Sequence, residues 1–554
     1  MRHLLSLAFG GTLLLSACSE QAPPSPTAEA KVAELNAVFE SPQAYSVRRL
    51  TPEDITRFLA EHPEFKSDSA DIAGFYARRD HQYAWFVRDS LSQSASSFLA
   101  LFSSADTAFR EVAELRDRLS SLLASSLPPD SMSVACDSCR LQMELNLTAQ
   151  FFHYAAKKYA GLARDPKALD WYIPRRKKDF NRLLDSLVAG RMDLQLLEPV
   201  HPQYARLKSW LKRYHDLEGD TAWTALSLGD VRKIESGGDH PILPEVRRRL
   251  LLLGDLDSAR SVDAGTAYDT TLAAGVKVFQ SRHGLHPDGV IGQGFLRTIN
   301  VTPAERLRTL LVNMERLRWV PDEVAPDQLL VNIPEFRLHV YEEGRVVMSM
   351  DVVVGTTATR TVIFSDTMST IVFSPTWTVP MSIVRSEILP AMAKDPGYLK
   401  RKNMERIGGS ASNPIIRQKP GASNALGRVK FLFPNSYSIY LHDTPSKSLF
   451  SREQRAFSHG CIRVSKPRDL AEYLLRNDST WTPEKIGKAM MSGKETFVKL
   501  KERRPVTIGY FTAWEDAEGR LQFREDVYGL DQRLADELFT PSTPVEVPLT
   551  SSLP

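Results

Sequence analysis

The 554-residue chain is poor in cysteine, almost balanced in charge and, after its first residues, without a long apolar run. It has four cysteines and a formal net charge of +3. No segment after residue 17 approaches the ~20 consecutive apolar residues that a membrane-spanning helix needs. No concentrated basic tract is present of the kind that marks nucleic-acid-binding proteins. With 42% hydrophobic and 25% charged residues, a chain of this length is typical of a soluble protein with several domains.

The N-terminus predicts export. Residues 1–17 contain a charged start, the apolar run Leu4 to Leu15 and two small residues before Cys18, which is the order of a signal peptide. This ending resembles the lipobox of bacterial lipoproteins, and the resemblance implies that Cys18 is diacylated and becomes the mature N-terminus. An ordinary signal peptide that happens to contain a cysteine is the alternative. Residues 18–45 lack apolar periodicity and predict a flexible tether.

The other three cysteines have different expected fates. Cys136 and Cys139 form a Cys-x-x-Cys pair, which allows a local disulfide, a redox pair or half of a zinc site. No second such pair and no His-x-x-x-His completes a metal set, so a structural or incidental pair is favoured. Cys461 is left without a partner. Because a lone thiol outside the cytoplasm invites oxidation, its retention indicates that the sulfur is used.

The sequence predicts two helical regions before residue 303. Residues 46–240 predict a helical scaffold, with apolar residues at three- and four-residue spacing as in Phe109, Val112, Leu115 and Leu119. Residues 241–302 predict a three-helix bundle. Its expected inner faces are Val246, Leu250 and Leu253 on the first helix, Leu272, Val276 and Phe279 on the second, and Phe295 and Ile299 on the third.

The string from Val276 to Asn300, with its Phe-Gln, His-Gly-Leu, Asp-Gly and Ile-Gly pairs, resembles the peptidoglycan-binding domain of many cell-wall enzymes. The resemblance implies that fold and a cell-wall ligand. Residues 255–269 lengthen the first connection relative to that family, which leaves the binding surface there open.

After a helical connector at 303–326 the sequence pattern changes to short segments rich in β-branched residues and separated by turn residues. This pattern predicts a mostly-β domain over 327–535, followed by a tail over 536–554. Glu343-Gly344 is expected to form a hairpin turn. The predicted strands are 329–333, 337–341, 350–354, 369–373, 438–442, 506–514 and 521–527.

Cys461 has the neighbours that a nucleophilic cysteine needs. His459 precedes it by two positions, and on an extended strand the two side chains would project to the same face. A nearby imidazole raises the fraction of reactive thiolate. Gly460 between them lets substrate or another backbone approach closely. By itself, this pattern fits an inert buried cysteine beside a surface histidine better.

A second histidine, His442, lies 17 positions before His459, and the order His, gap, Ser-His-Gly-Cys-Ile-Arg resembles the L,D-transpeptidase (YkuD) catalytic domain. The resemblance extends over nearly the whole chain, to the large YcbB-like subgroup: an anchor, a helical scaffold, a peptidoglycan-binding bundle and a catalytic domain with a lid. The implied fold class is a multidomain α+β protein.

By position in that motif, the resemblance implies Cys461 as the nucleophile and His459 as the general base, oriented by the Gly460 carbonyl. The oxyanion would be held by the Cys461 backbone N–H with help from the Tyr440 hydroxyl, while His442 would line the same pocket.

Three more residues are expected to contact substrate. Arg463 suits a substrate carboxylate because its guanidinium is planar and forked. Ser458 belongs to the motif, and Trp377 is expected to form a wall of the cleft, although a packed core position fits it as well.

The implied reaction takes place on peptidoglycan stem peptides. Cys461 would attack the amide after the third stem residue, release D-alanine and form a thioester, which an amine of a neighbouring stem would resolve to a 3→3 cross-link. The resemblance implies no metal and no organic cofactor. The expected partners are peptidoglycan peptides and glycan, and a membrane through the lipid on Cys18, with no nucleic acid. The expected location is the periplasmic side of the envelope, at an outer membrane because Ser19 follows Cys18.

About 50 residues, 385–436, separate the strand that ends after Trp377 from the one that carries Tyr440. Connections this long inside a compact domain are typical of lids. We expect this insertion to cap the cleft and to keep water from the thioester. A passive surface elaboration is the alternative.

Three other functions are compatible with parts of the sequence. A cell-wall cysteine endopeptidase or carboxypeptidase would use water as the acceptor, although in its papain-like form Cys precedes His, unlike here. A non-catalytic anchoring lipoprotein would use only the bundle. A zinc site of His442, His459 and Cys461 lacks the usual ligand spacing.

Overall fold

The computed structural model describes residues 48–87, 90–104, 136–161, 165–174, 179–190, 201–257, 265–321 and 325–539. The chain forms two compact units, one of Met1–Tyr154 with Asp179–Leu194 and the other of Ala155–Lys178 with Gln195–Pro554. The predicted signal peptide, Cys18, the tether and the predicted helix around Val112 lie outside the described residues. In the described part of the chain no helix is both long and apolar enough to cross a membrane.

The chain is mainly helical up to Leu317 and mostly β from Gln328 onward. The helices are α1 Pro52–Glu61, α2 Ser69–Arg78, α3 Gln93–Ser104, α4 Asp137–Ala160, α5 Phe180–Val188, α6 Pro202–Glu218, α7 Leu243–Leu253, α8 Thr270–Arg282, α9 Gln293–Ile299, α10 Pro303–Leu317, α11 Met381–Ile383, α12 Leu389–Lys394, α13 Tyr398–Arg401, α14 Pro467–Leu475, α15 Pro483–Met491 and α16 Leu530–Phe539. The strands are β1 Phe86–Val87, β2 Ser90–Leu91, β3 Gln328–Asn332, β4 Arg337–Glu342, β5 Arg345–Gly355, β6 Phe364–Phe373, β7 Trp377–Thr378, β8 Met404–Gly409, β9 Pro414–Gln418, β10 Val429–Leu432, β11 Leu441–His442, β12 Ala456–Ser458, β13 Ile462–Val464, β14 Thr496–Gly509, β15 Ala513–Glu515 and β16 Leu521–Phe523.

The first unit is helical, as predicted, with an aromatic core that includes Phe75, Trp85, Phe98 and Phe151. Helix α4 is tied to the segment before β1 because the buried carboxylate of Glu144 accepts hydrogen bonds from two backbone N–H groups there. Cys136 and Cys139 form a disulfide at the start of α4. Of the three fates that the sequence left open for this pair, the structure therefore has the local disulfide.

The predicted end of the scaffold at residue 240 differs from the structure, in which α6 belongs to the second unit. Its side chains Leu207 and Leu211 share a buried cluster with Leu310 and Met314 of α10 and with Phe523 of β16. The apolar periodicity of α6 is real, but it does not show which unit the apolar face packs against.

Helices α7, α8 and α9 form the predicted three-helix bundle. Its buried core contains every residue predicted for the inner faces except Leu253, which packs at the edge of the core. The side chain of Asp269 caps α8 by accepting from the backbone N–H of Leu272 at 2.7 Å. Gly289, in the predicted turn, has φ +76° and its carbonyl accepts from the Tyr268 hydroxyl.

The mostly-β domain is a ring of eight strands in the order β5-β13-β11-β10-β6-β14-β3-β4, in which β4 pairs back to β5 and β12 adds to β5. The hairpin between β4 and β5 turns at Glu343 and Gly344, as predicted, and both residues have a positive φ. The predicted domain end at 535 falls inside α16, which continues to Phe539.

An inserted subdomain, residues 375–427, interrupts the ring between β6 and β10; we call it the lid. It contains the three-stranded sheet β7-β9-β8 and its own apolar cluster of Val379, Ile383, Val384, Ile388 and Ile416. The range predicted for it, 385–436, was shifted. The lid begins earlier because β7 pairs with β9, and it ends earlier because β10 pairs with β6 of the ring.

Candidate active site

The segment that carries Cys461 is a tight turn between two strands. Strand β12 pairs with β5 in parallel and β13 pairs with β5 antiparallel, so the chain reverses between Ser458 and Ile462. Gly460 makes this possible with φ +109°, a conformation that L side chains rarely adopt. The expectation that His459 and Cys461 share a face of one extended strand is therefore wrong, because the strand is broken between them.

A different set of side chains shares a face with Cys461. Strands β11 and β13 are parallel, with Leu441 opposite Ile462 and His442 opposite Arg463. Leu441 and Ile462 are completely buried in the domain core. Because side chains alternate along a strand, the residues at the alternate positions, Tyr440, His442, Cys461 and Arg463, are directed to the opposite face.

Cys461 has a free, half-buried thiol. It donates to the Ser438 carbonyl at 3.6 Å, and its sulfur also contacts the hydroxyl and the backbone N–H of Tyr440. Burial raises the pKa of the Cys461 thiol, and the contacts with Tyr440 and the charge of Arg463 only partly offset this. At rest the sulfur is therefore protonated at neutral pH.

His442 has the tautomer and the protonation state that a base needs. Its ring is buried, and Nδ1–H donates to the Asp443 carbonyl at 2.5 Å. This fixes the tautomer, because a carbonyl can only accept, and it leaves Nε2 with a free lone pair. Burial lowers the pKa of His442 to about 4, so the imidazole is neutral. Its ring centroid lies 5.7 Å from that of Tyr440.

His459 lies elsewhere. Its side chain is 51% exposed, and Nε2 lies 3.0 Å from Oε1 of Glu387 in the lid. Among the hydrogen bonds of the described residues none joins His459 to Cys461. None of these hydrogen bonds joins His442 to Cys461 either, so the role of general base that motif position implied for His459 stays a prediction, although Gly460 turns the chain between His459 and Cys461.

The Gly460 carbonyl was expected to orient an imidazole, but it accepts from the Thr361 hydroxyl at 2.8 Å. Ser458, expected to contact substrate, is buried, and its hydroxyl donates to the Cys461 carbonyl at 2.6 Å. The Ser458 carbonyl accepts from the hydroxyl of Thr359 at 2.9 Å. Ser458 and Gly460 therefore hold the shape of the turn rather than line a cleft.

Arg463 interacts electrostatically with Cys461, and Trp377 contacts Tyr440. Burial lowers the pKa of Arg463, which has no ion pair with any carboxylate of the described residues. An anion is the natural partner of such a guanidinium. Trp377, on β7 of the lid, contacts the Tyr440 hydroxyl as a hydrogen-bond donor. The cleft-wall prediction for Trp377 thus becomes a specific contact with a residue that touches Cys461.

Sequence reasoning missed four contributors: Thr361, Ser438, Asp443 and Glu387. Ser438 and Asp443 act through backbone carbonyls, which leave no mark in a sequence. Thr361 and Glu387 lie about 100 and 70 residues from Cys461 in the sequence, and only the tertiary fold brings them near. Among the described residues no group of three His, Cys, Asp or Glu side chains could hold a metal ion.

Three family models match the chain. Residues 326–508 match the YkuD model, described as "L,D-transpeptidase catalytic domain". Residues 240–299 match the "Putative peptidoglycan binding domain" model and residues 70–211 match a model described as "Scaffold domain". The matched ranges correspond to the β ring with its lid, to the bundle α7–α9 and to the helical region.

One similar curated protein is the "Putative L,D-transpeptidase" of Haemophilus influenzae, which is 34% identical over 241 residues, or 41% of this chain and 48% of that protein. The chain thus spans about half the length of this relative. Two similar solved structures are an L,D-transpeptidase of Xylanimonas cellulosilytica, 15% identical with TM-score 0.18 over 50% of this chain and 98% of that one, and one of Mycobacterium smegmatis, 15% identical with TM-score 0.19 over 34% and 60%.

Proposed function

We propose, from the premise that residues 326–508 are a catalytic domain of the L,D-transpeptidase family, that the chain cross-links peptidoglycan stem peptides through a thioester on Cys461. The observation that carries the proposal is the shared face of β11 and β13. It presents a free thiol, a neutral imidazole with an open lone pair and an unpaired guanidinium together.

The first half-reaction forms the thioester. As the Cys461 sulfur attacks the amide carbonyl after the third stem residue, Nε2 of His442 takes the thiol proton. The proton moves during the attack because neither the thiolate nor the imidazolium is stable at rest in this buried site. The oxyanion is held by the Cys461 N–H and the Tyr440 hydroxyl. The carbon–nitrogen bond then breaks, and His442 returns the proton to the leaving D-alanine nitrogen.

The second half-reaction resolves the thioester. An amine of a neighbouring stem attacks the thioester carbon and gives one proton to His442, after which the carbon–sulfur bond breaks and the sulfur takes that proton back. The product is a 3→3 cross-link and the thiol is regenerated. Arg463 binds a carboxylate of the stem peptide, which a guanidinium can hold with two parallel hydrogen bonds.

The remaining parts position this chemistry on the cell wall. The bundle α7–α9 holds the chain on peptidoglycan, and Cys18 carries the lipid that anchors the protein at the periplasmic side of the envelope, in an outer membrane. The support for this is the match of residues 240–299 to a peptidoglycan-binding model and the sequence around Cys18.

Mass spectrometry of the products from a purified tetrapeptide muropeptide tests the reaction. The wild-type protein should give cross-linked dimer and free D-alanine, and Cys461→Ala should give neither while its circular dichroism stays unchanged. Hydrolysed tripeptide without dimer would mean a carboxypeptidase, and dimer from Cys461→Ala would end the thioester mechanism. A carbapenem should leave its mass on Cys461, as the family resemblance implies.

A further inference from the structure

The lid has a direct contact with the turn that carries the nucleophile. Oε1 of Glu387 lies 3.0 Å from Nε2 of His459, and the two side chains are 54% and 51% exposed. Since the proposed mechanism uses His442 as the base, it leaves His459 for another role. The contact joins the inserted subdomain to a residue two positions from Cys461.

The His459 end of this contact is fixed. Thr361 and Thr359 hold the carbonyls of Gly460 and Ser458 at 2.8 and 2.9 Å, and Ser458 is buried. The backbone on both sides of His459 is thus hydrogen-bonded to the loop after β5. If one end of the pair moves, it is the lid.

The Glu387 end belongs to a body that can move as a unit. The lid has its own buried cluster, and it leaves and re-enters the ring at adjacent strands, where the backbone N–H of Ser374 donates to the Arg428 carbonyl at 2.8 Å. Glu387 lies in the π-helical turn Val384–Ile388, whose buried ends Val384 and Ile388 belong to the lid cluster. Its position therefore follows that of the whole lid.

We propose that the Glu387–His459 pair is a latch that holds the lid closed over Cys461, and that Glu387 is a positioning residue for the reaction. When the latch is closed, Trp377 reaches the Tyr440 hydroxyl, so closing the lid also orients a group that touches the sulfur. The expected effect of the latch on the ratio of cross-linked to hydrolysed products rests on the proposed function. The effect of the latch on the access of a reagent to the Cys461 thiol does not.

The rate at which iodoacetamide alkylates Cys461, mapped by peptide mass spectrometry in the full chain, measures how often the lid opens. Glu387→Gln and His459→Gln should each raise this rate by about two- to fivefold, the range open to a polar contact between half-exposed side chains. The double variant should alkylate no faster than either single variant, because both changes break the same contact.

Glu405→Gln is the matched control. Glu405 lies in the lid and forms ion pairs with Arg417 and Lys419 at 2.8 and 3.0 Å. Its replacement breaks ion pairs within the lid but not the contact with His459, so the alkylation rate should stay unchanged. His459→Gln lies outside the lid and keeps the test valid if Glu387→Gln unfolds the lid.

Unchanged rates in both single variants, an equal rise in Glu405→Gln, or a double variant whose increase is the product of the two single increases would each overturn the latch. None of these outcomes requires peptidoglycan as a substrate, so they are separate from a failure of the proposed function. With muropeptides, both latch variants should in addition lower the ratio of cross-linked dimer to hydrolysed tripeptide, and Glu405→Gln should not.

Discussion

Cys461 and His442 are both uncharged at rest because burial favours the neutral form of each. Burial raises the pKa of the thiol and lowers that of the imidazole to about 4. A thiol kept neutral in this way is less exposed to oxidation than a thiolate. In the proposed mechanism the thiol loses its proton to His442 only as the sulfur attacks a substrate carbonyl.

Replacing the two histidines separately distinguishes their roles. His442→Ala should lower the rate of Cys461 acylation by a carbapenem about 10²- to 10⁴-fold, the usual contribution of a general base. His459→Ala should lower it by less than about tenfold, since it touches the lid and not the sulfur. Time-resolved intact-protein mass spectrometry gives both rates. A larger loss in His459→Ala would restore the role that motif position implied.

The depressed pKa of His442 predicts a pH-dependent stability. The unfolded imidazole takes up a proton near pH 6.5 and the folded one only near pH 4, so the unfolded state binds more protons between these values and stability falls with falling pH. The loss over this window is about 3 kcal/mol at most. Urea unfolding of wild type and His442→Gln at pH 7 and pH 4 isolates it, because other groups titrate alike in both proteins. Parallel pH profiles would contradict it.

At this scale the sequence gives the candidate residues, and their roles stay predictions. Cys461, Tyr440, His442 and Arg463 were candidates, and the structure puts them on one face. Motif position implied His459 as the base, and its two-residue spacing from Cys461 placed both on one extended strand, whereas Gly460 reverses the chain. The proposal of His442 as the base depends on the Asp443 carbonyl, and any residue supplies a carbonyl.

At the scale of elements, the lid is attached so that it can be removed cleanly. Phe373 of β6 and Val429 of β10 are paired neighbours in antiparallel strands. Replacing residues 375–427 with a two-residue Asn-Gly turn should therefore leave the ring folded, since such turns connect adjacent antiparallel strands.

In this lidless protein Cys461 should still be acylated, but the ratio of cross-linked dimer to hydrolysed tripeptide should fall by about tenfold or more, because water reaches the thioester. Chromatography of the muropeptide products measures the ratio. If the protein folds and the ratio is unchanged, the lid does not exclude water.

The strands show which local signals suffice. The β4–β5 hairpin followed from its alternating pattern and from Glu343-Gly344. Of the strand predicted at 438–442 only β11 remains, because Ser438 takes φ +57° and its carbonyl turns to the thiol. The first half of β14 was missed because charged residues and Pro505 interrupt it, although it pairs with β6. Its place between two strands outweighs a poor local pattern.

At the scale of the whole molecule, the order of domains followed from composition and motif, while the division at residue 194 did not, because it depends on which neighbour α6 packs against. The proposed anchor at Cys18 predicts a simple fractionation. Cys18→Ser should move the protein from the membrane fraction to the soluble fraction or leave it unprocessed, whereas Cys461→Ser should not. Immunoblots of both fractions decide this, and a Cys18→Ser protein that stays with membranes would disprove lipid anchoring.

Strand β14 makes the ring depend on residues synthesised late in the domain. It lies between β6 and β3 and begins more than 120 residues after β6 ends. Until the residues from Thr496 onward are synthesised, β6 and β3 each have an edge without its β14 partner. Unpaired strand edges promote aggregation. Cys461 precedes β14 in the chain, so the ring that holds the reactive centre can close only after almost the whole domain has been synthesised.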